Sequence, residues 1–189
     1  MALLPYPDHD QLPANVRTIL ESRPPRNVFR MLSHAPALMP GLMELTRAIL
    51  YGARLDPVSR ELAILRVGHL CGSHYEVSQH RKIALACGLP QAKIDGTSAD
   101  PDPALYDQRE LLVLRMAQEM VRNVKAPPEL LAATVASFGH EQAMELMVII
   151  GTYVLLAQVL ETAEVELEEG GGPDQKDVEK IFRSQAGKA

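Results

Sequence analysis

Apolar residues along this chain recur at steps of three and four, and no stretch sustains the apolar–polar alternation of a strand. That period places apolar side chains on one face of a helix. Pro5, Pro7 and Pro13 oppose helix in an N-terminal arm, and a short helix is expected over 14–22. Arg23-Pro24-Pro25 stops it, and Pro25 suits the first turn of a second helix over 27–34. Pro36 begins a third, with Leu38, Leu42, Leu45, Ile49 and Leu50 on one face and Gly52 as its stop.

Asp56-Pro57 is a helix start: an acceptor at the cap, then proline at the first helical position. Val58, Leu62 and Leu65, with Ile64 on the adjacent row, continue it to a bend at Cys71-Gly72-Ser73. Ser73 can cap the helix that follows, which ends at Cys87-Gly88 with Pro90 beyond. A short helical turn is expected over 90–96 and a Ser, Asp and Pro-rich loop over 97–103. Asp107 opens a strong helix carrying Leu111, Leu114, Met116, Met120 and Val121. Pro127-Pro128 opens another that runs to Phe138-Gly139. The segment 140–167 is apolar in its middle and reads as a central buried helix or an oligomer contact. Gly170-Gly171-Gly172-Pro173 breaks the chain before a possible amphipathic helix over 174–185. The fold class is all-α: a single-domain helical bundle with a central helical hairpin at about 57–88. An arm and short helix would occupy 1–26, the domain 27–168, and a flexible tail 169–189.

Composition sharpens this picture. With 189 residues, 47% hydrophobic and 23% charged, the chain can bury one sizeable core. Its net charge of -5, dispersed basic residues, three Phe and no Trp argue against nucleic acid as a partner. The N-terminus lacks a basic segment followed by a long apolar run, so no signal peptide is expected. The longest apolar run, 147–157, is interrupted by Gly151, Thr152 and Tyr153; it is too short for a membrane span. Cys71 and Cys87 are too few for a disulfide scaffold and fit a cytoplasmic protein. On one continuous helix they would lie roughly 24 Å apart, and the bend between them shortens this only in part.

Chemistry concentrates in 61–89. Glu76 and His80 are four apart and share a helix face. A carboxylate can hold an imidazole in one tautomer, which suits a proton shuttle. Glu61 meets the same point if the two helices form a hairpin, and its apolar neighbours would desolvate it. Tyr75 adds a hydroxyl for an oxyanion or a proton relay. The plain alternatives stand beside these. A Glu-x-x-x-His pair also serves as a solvated surface pair, and Glu61 also suits the helix dipole near the Asp56 cap. His69, Cys71, His74, Glu76 and His80 are metal-ligand types, but their spacing matches no familiar site, so no metal is assigned. Cys71 near a helix start with His74 close by could be a lowered-pKa thiol, or a small buried apolar residue.

Arg60-Glu61-Leu62 with Ile64-Leu65-Arg66-Val67, then Tyr75-Glu76, His80, Ala84 and Gly88-Leu89, resembles the core of the carboxymuconolactone decarboxylase family, which includes the alkylhydroperoxidase D proteins. The helix of Asn27-Val28-Phe29-Arg30 and the segment 145–153 are also similar to longer members. The resemblance covers roughly 27–168. It implies an all-helical fold that assembles as trimers or hexamers, with active sites near subunit contacts. Peroxidase members carry a Cys-x-x-Cys pair at the start of the second helix. Those positions match Ser73 and Glu76, which cannot do thiol chemistry; the peroxidases' proton-relaying residues match Glu61 and His80, and an intervening histidine matches Tyr75. The decarboxylase branch lacks the pair and has residues matching Glu76 and His80. The resulting expectation is cofactor-free acid–base chemistry on a small carboxylated lactone or carbonyl substrate. His80 would donate or accept the proton, Glu76 would orient it, Glu61 would be a second acid or base, and Tyr75 would steady negative charge. A peroxiredoxin-like use of Cys71, with Ser73 and His74 at the helix junction, is one alternative. A non-catalytic oligomer that binds a small ligand is the other.

Overall fold

The computed structural model describes residues 2–168. Among them, a 3-10 turn at His9–Gln11 precedes eight helices: α1 Ala14–Glu21, α2 Asn27–Leu32, α3 Met39–Tyr51, α4 Pro57–Leu70, α5 His74–Ala86, α6 Gln91–Gly96, α7 Gln108–Asn123 and α8 Pro128–Thr162. No described residue lies in a strand. The expected helix over 174–185 falls outside the described residues.

α4 is the axis of the bundle, packed against α5, α7 and α8. Asp56 starts it as expected, its Oδ1 accepting from Ser59 N at 2.9 Å, with Pro57 in the first turn. Leu62, Ala63, Ile64, Leu65 and Val67 are all fully buried. Apolar residues on every side of a helix mean that every side is covered, and each large side chain so buried is worth about 1.5–3 kcal/mol. Two glycines make the α4–α5 hairpin. Gly72 takes φ +69° at the bend, and a Cβ on Gly68 would stand 3.0 Å from Val77 Cγ2, so Gly68 lets the two helices approach. Arg66, 1% exposed, donates to the carbonyls of Thr97 and Ala99 and pairs with Gln118 and Asp100, pinning the 97–103 loop onto α4.

Later helices follow their local signals. Asp107 and Glu110 form a reciprocal capping box at the start of α7. α8 is bent where two helices were expected to meet, at Gly139, whose φ 75° and ψ 168° only glycine adopts readily. The most apolar window of α8 has the length and hydropathy of a membrane span, contrary to the expectation from 147–157 alone. Half of that window is buried, against a core that includes α4 and α7.

Two helix boundaries also differ from expectation. Helix α3 begins at Met39 rather than near Pro36, and its buried residues are Met39, Met43, Thr46 and Ile49. Leu38 and Leu45 are exposed, because Met39 and Met43 turn toward Leu12 and Val16 of the N-terminal segment. The last helix, expected to reach residue 167, ends at Thr162. Glu164 takes φ 49°, and Val165 leaves the helix to bury itself beside Val28, Met31 and Tyr75.

Candidate active site

The hairpin brings Glu61 of α4 against His80 of α5, with His80 Nδ1 and Glu61 Oε2 2.7 Å apart. Glu61 has no exposed surface. Its other oxygen accepts from Arg60 Nε at 2.8 Å, and Arg60 also donates to the Leu50 carbonyl. Burial pushes the Glu61 carboxyl up, but the charges and hydrogen bonds of His80 and Arg60 outweigh it and hold the group below its ordinary range. Glu61 is therefore a carboxylate and only accepts, so His80 Nδ1 carries the hydrogen. That leaves His80 Nε2, on the opposite edge of the ring, without a hydrogen bond among the described residues. Tyr153 of α8 meets the imidazole edge to face, 5.0 Å between centroids at 87°.

Glu76, one turn before His80 on α5, is 3% exposed, and neither carboxyl oxygen has a hydrogen-bond partner among the described residues. Burial, reinforced by the charge of Glu161, pushes it up to about 9. It is a neutral carboxylic acid at pH 7. The expected Glu76–His80 pair does not form. Glu61 orients the imidazole instead, because Arg60 beside it stabilises a charged carboxylate and no cation does so for Glu76.

Glu76, His80 and Tyr153 line one cavity of about 540 Å³, with an otherwise largely apolar wall. Tyr75 lines it too, but its hydroxyl is engaged: it donates to Glu168 Oε1 at 2.5 Å and accepts from Val28 N at 3.3 Å. Burial and the bond to Glu168 push the phenol up. The expected role of Tyr75, steadying charge on a substrate, conflicts with this commitment. Glu168 also accepts from Gln79 Nε2 at 2.7 Å and from Asn27 N at the start of α2 at 2.6 Å. Neither Tyr153 nor Glu168 was singled out from the sequence. Tyr153 lay inside an apolar run, and Glu168 lay one residue past the segment expected to be helical.

The helix-junction residues stay apart from the cavity. Cys71 and Cys87 are free, and neither lines it. Burial and the charges of Glu76 and Glu161 push the Cys71 thiol up; burial and Glu61 push Cys87 up to about 12. Ser73 occupies the N-cap of α5, yet its buried hydroxyl makes no capping bond and has no partner. His74 is exposed. Among the described residues, no three His, Cys, Asp or Glu side chains converge as a metal-binding group.

Residues 36–119 match the model of the carboxymuconolactone decarboxylase family. The fold is similar to the crystal structure of an alkylhydroperoxidase AhpD core, an uncharacterized peroxidase-related protein from Ralstonia eutropha JMP134 (18% identity, 94% of each chain, TM-score 0.73). It is equally similar to an uncharacterized peroxidase-related protein from Silicibacter sp. TM1040 (15% identity, 95% of each chain, TM-score 0.74). No curated protein matches the chain significantly. The segment 36–119, which holds the α4–α5 hairpin, is thus similar to the carboxymuconolactone decarboxylase family, and the helical fold is that of the AhpD-like structures.

Proposed function

We propose that the protein is a carboxymuconolactone decarboxylase-like enzyme that uses cofactor-free acid–base chemistry on a carboxylated carbonyl or lactone substrate. The observation that carries this reading is Glu76, an unpartnered, neutral carboxylic acid in the same cavity wall as a carboxylate-anchored histidine. Two titratable groups whose surroundings drive them to opposite states make an acid and base pair. His80 Nε2 takes a proton from the substrate, and Glu61 stabilises the imidazolium that results. Glu76 gives a proton, or a hydrogen bond, to negative charge developing on the substrate. In a decarboxylation the carbon–carboxylate bond breaks, carbon dioxide leaves, and the electron pair passes to the carbon conjugated with the carbonyl. Glu76 protonates that carbon and recovers its proton from solvent, to which the His80 imidazolium releases the one it took. The roles of Glu61 and Glu76 are thus exchanged relative to those the spacing suggested.

The test is carbon dioxide release from a panel of β-keto acids and lactone acids. Wild type is expected to turn over at least one of them. His80→Ala and Glu76→Gln are each expected to lose a factor of about 10²–10⁴, the usual worth of a positioned acid or base. Full activity in Glu76→Gln would sink the acid assignment. A thiol peroxidase gains no support, because the Cys71 thiol is pushed up, lies outside the cavity wall and has no cysteine three residues on.

A further inference from the structure

The cavity is bigger than this chemistry requires. Pockets of about 300–1,000 Å³ hold drug-sized ligands, so a compact acid would leave much of 540 Å³ unfilled. Its wall is mixed. Glu76, His80 and Tyr153 are buried in it, and Phe29, Leu32, Met43 and Leu156 supply apolar surface. Three arginines line it and are less buried: Arg23 and Arg26 from the connection between α1 and α2, and Arg47 from α3. Among the described residues, Glu76 is the only acidic one in the lining. The Arg23 Nε is buried without a hydrogen-bond partner, and its guanidinium lies 5.5 Å from the Phe29 ring centre. Arg47 is held in place by Glu44 on its own helix, and Arg26 donates to Gln79 Oε1 at 2.6 Å. The guanidinium groups are thus prepositioned next to an apolar chamber, and planar forks of this kind suit carboxylates.

From this arrangement we infer that the cavity takes an amphipathic carboxylic acid. An aliphatic body of about eight to twelve carbons would cover the apolar surface, and a carboxylate would sit against Arg23 and Arg47, a size that falls within the drug-like range. The inference rests on the proposed acid–base reading only for which end of the ligand reacts: the end away from the carboxylate held by Arg23 and Arg47, which reaches Glu76 and His80. A reacting carboxylate or carbonyl there is a second functional group, so the natural substrate would be bifunctional, with an apolar spacer between an anionic anchor and the reacting centre.

Titration calorimetry with decanoate, 1-decanol and butyrate separates these ideas. Decanoate is expected to bind wild type at least tenfold more tightly than either comparator, and more weakly as salt rises. The double variant Arg23→Ala/Arg47→Ala should lose about tenfold for decanoate and keep its affinity for decanol, which also reports that the cavity is intact. Equal affinity for decanoate and decanol, or unchanged decanoate binding in the double variant, would overturn the inference. So would an absence of decanoate binding by wild type. Turnover of small lactone acids without decanoate binding would remove this inference and leave the acid–base reading standing. Selective decanoate binding with no turnover of any acid would do the reverse.

Discussion

Two glutamates one helix apart end in opposite states, and the difference lies in their immediate neighbours. Glu61 has Arg60 and His80 within hydrogen-bond reach; Glu76 has no partner among the described residues. Replacing Glu61 with Gln would leave the Arg60 guanidinium, 1% exposed, without its counter-charge and would free the His80 tautomer. Breaking a buried pair from one side costs about 3–5 kcal/mol, so thermal unfolding of Glu61→Gln should fall well below wild type. Because the folded Glu61 carboxyl lies below 4.5, its contribution is present above that pH and fades as pH falls through the folded value. Glu76 works the other way. Its carboxyl sits near 9 in the fold against 4.5 when free, so between those values the folded state holds a proton that the unfolded state has lost. Stability therefore falls as pH rises across that window. Glu76→Gln keeps the shape without the charge. It should match wild type near pH 4 and melt progressively higher above pH 5, by amounts on the order of a few kcal/mol at pH 9. Superimposable melting curves at every pH would mean that the site is wet and Glu76 ordinary.

The segment after α8 acts at the level of elements. Glu168 joins the start of α2 to Tyr75 and Gln79 of α5, and so ties the chain beyond the last helix to the cavity wall. Glu168→Ala removes three acceptor contacts and should cost roughly 1–3 kcal/mol, by analogy with an unmade buried hydrogen bond. Amide exchange should rise first at Asn27 and Val28; unchanged protection there would show that α2 holds itself. This tie also explains the misjudged end of α8. Periodicity reads 140–167 as one apolar helix, whereas Val165 gains burial only by leaving it. Gly139 was legible as a boundary because its left-handed conformation is a local demand. Gly139→Ala should cost about 1–3 kcal/mol through backbone strain alone, since a Cβ there meets nothing within 4 Å. A neutral urea midpoint would refute that.

At the scale of the molecule, the reading of the thiols is simple to check. Cys71→Ser should leave both stability and any peroxide consumption unchanged, measured with a dithiol reductant; loss of consumption would revive the peroxidase alternative. Self-association remains a proposal of the same scale. Met144, Val148 and Leu155 are exposed along one side of α8, and sedimentation should give a trimer or hexamer, whereas a monomer at micromolar concentration would refute it.

By itself, the sequence determined the all-helical class, the hairpin, its bend at Gly72 and the starts at Asp56 and Asp107. Each of these depends on interactions within about one helical turn: apolar period, cap acceptors and a glycine's positive φ. It also placed Glu61, Glu76 and His80 at the heart of the fold. Only the tertiary structure decided what each one meets. The i,i+4 spacing makes Glu76 a neighbour of His80, but the partner that meets the imidazole comes from α4, nineteen residues away. Charge follows the same logic. Arg60 stabilises one buried carboxylate while desolvation neutralises the other, and both effects depend on what the packed helices exclude, which no spacing along the chain records.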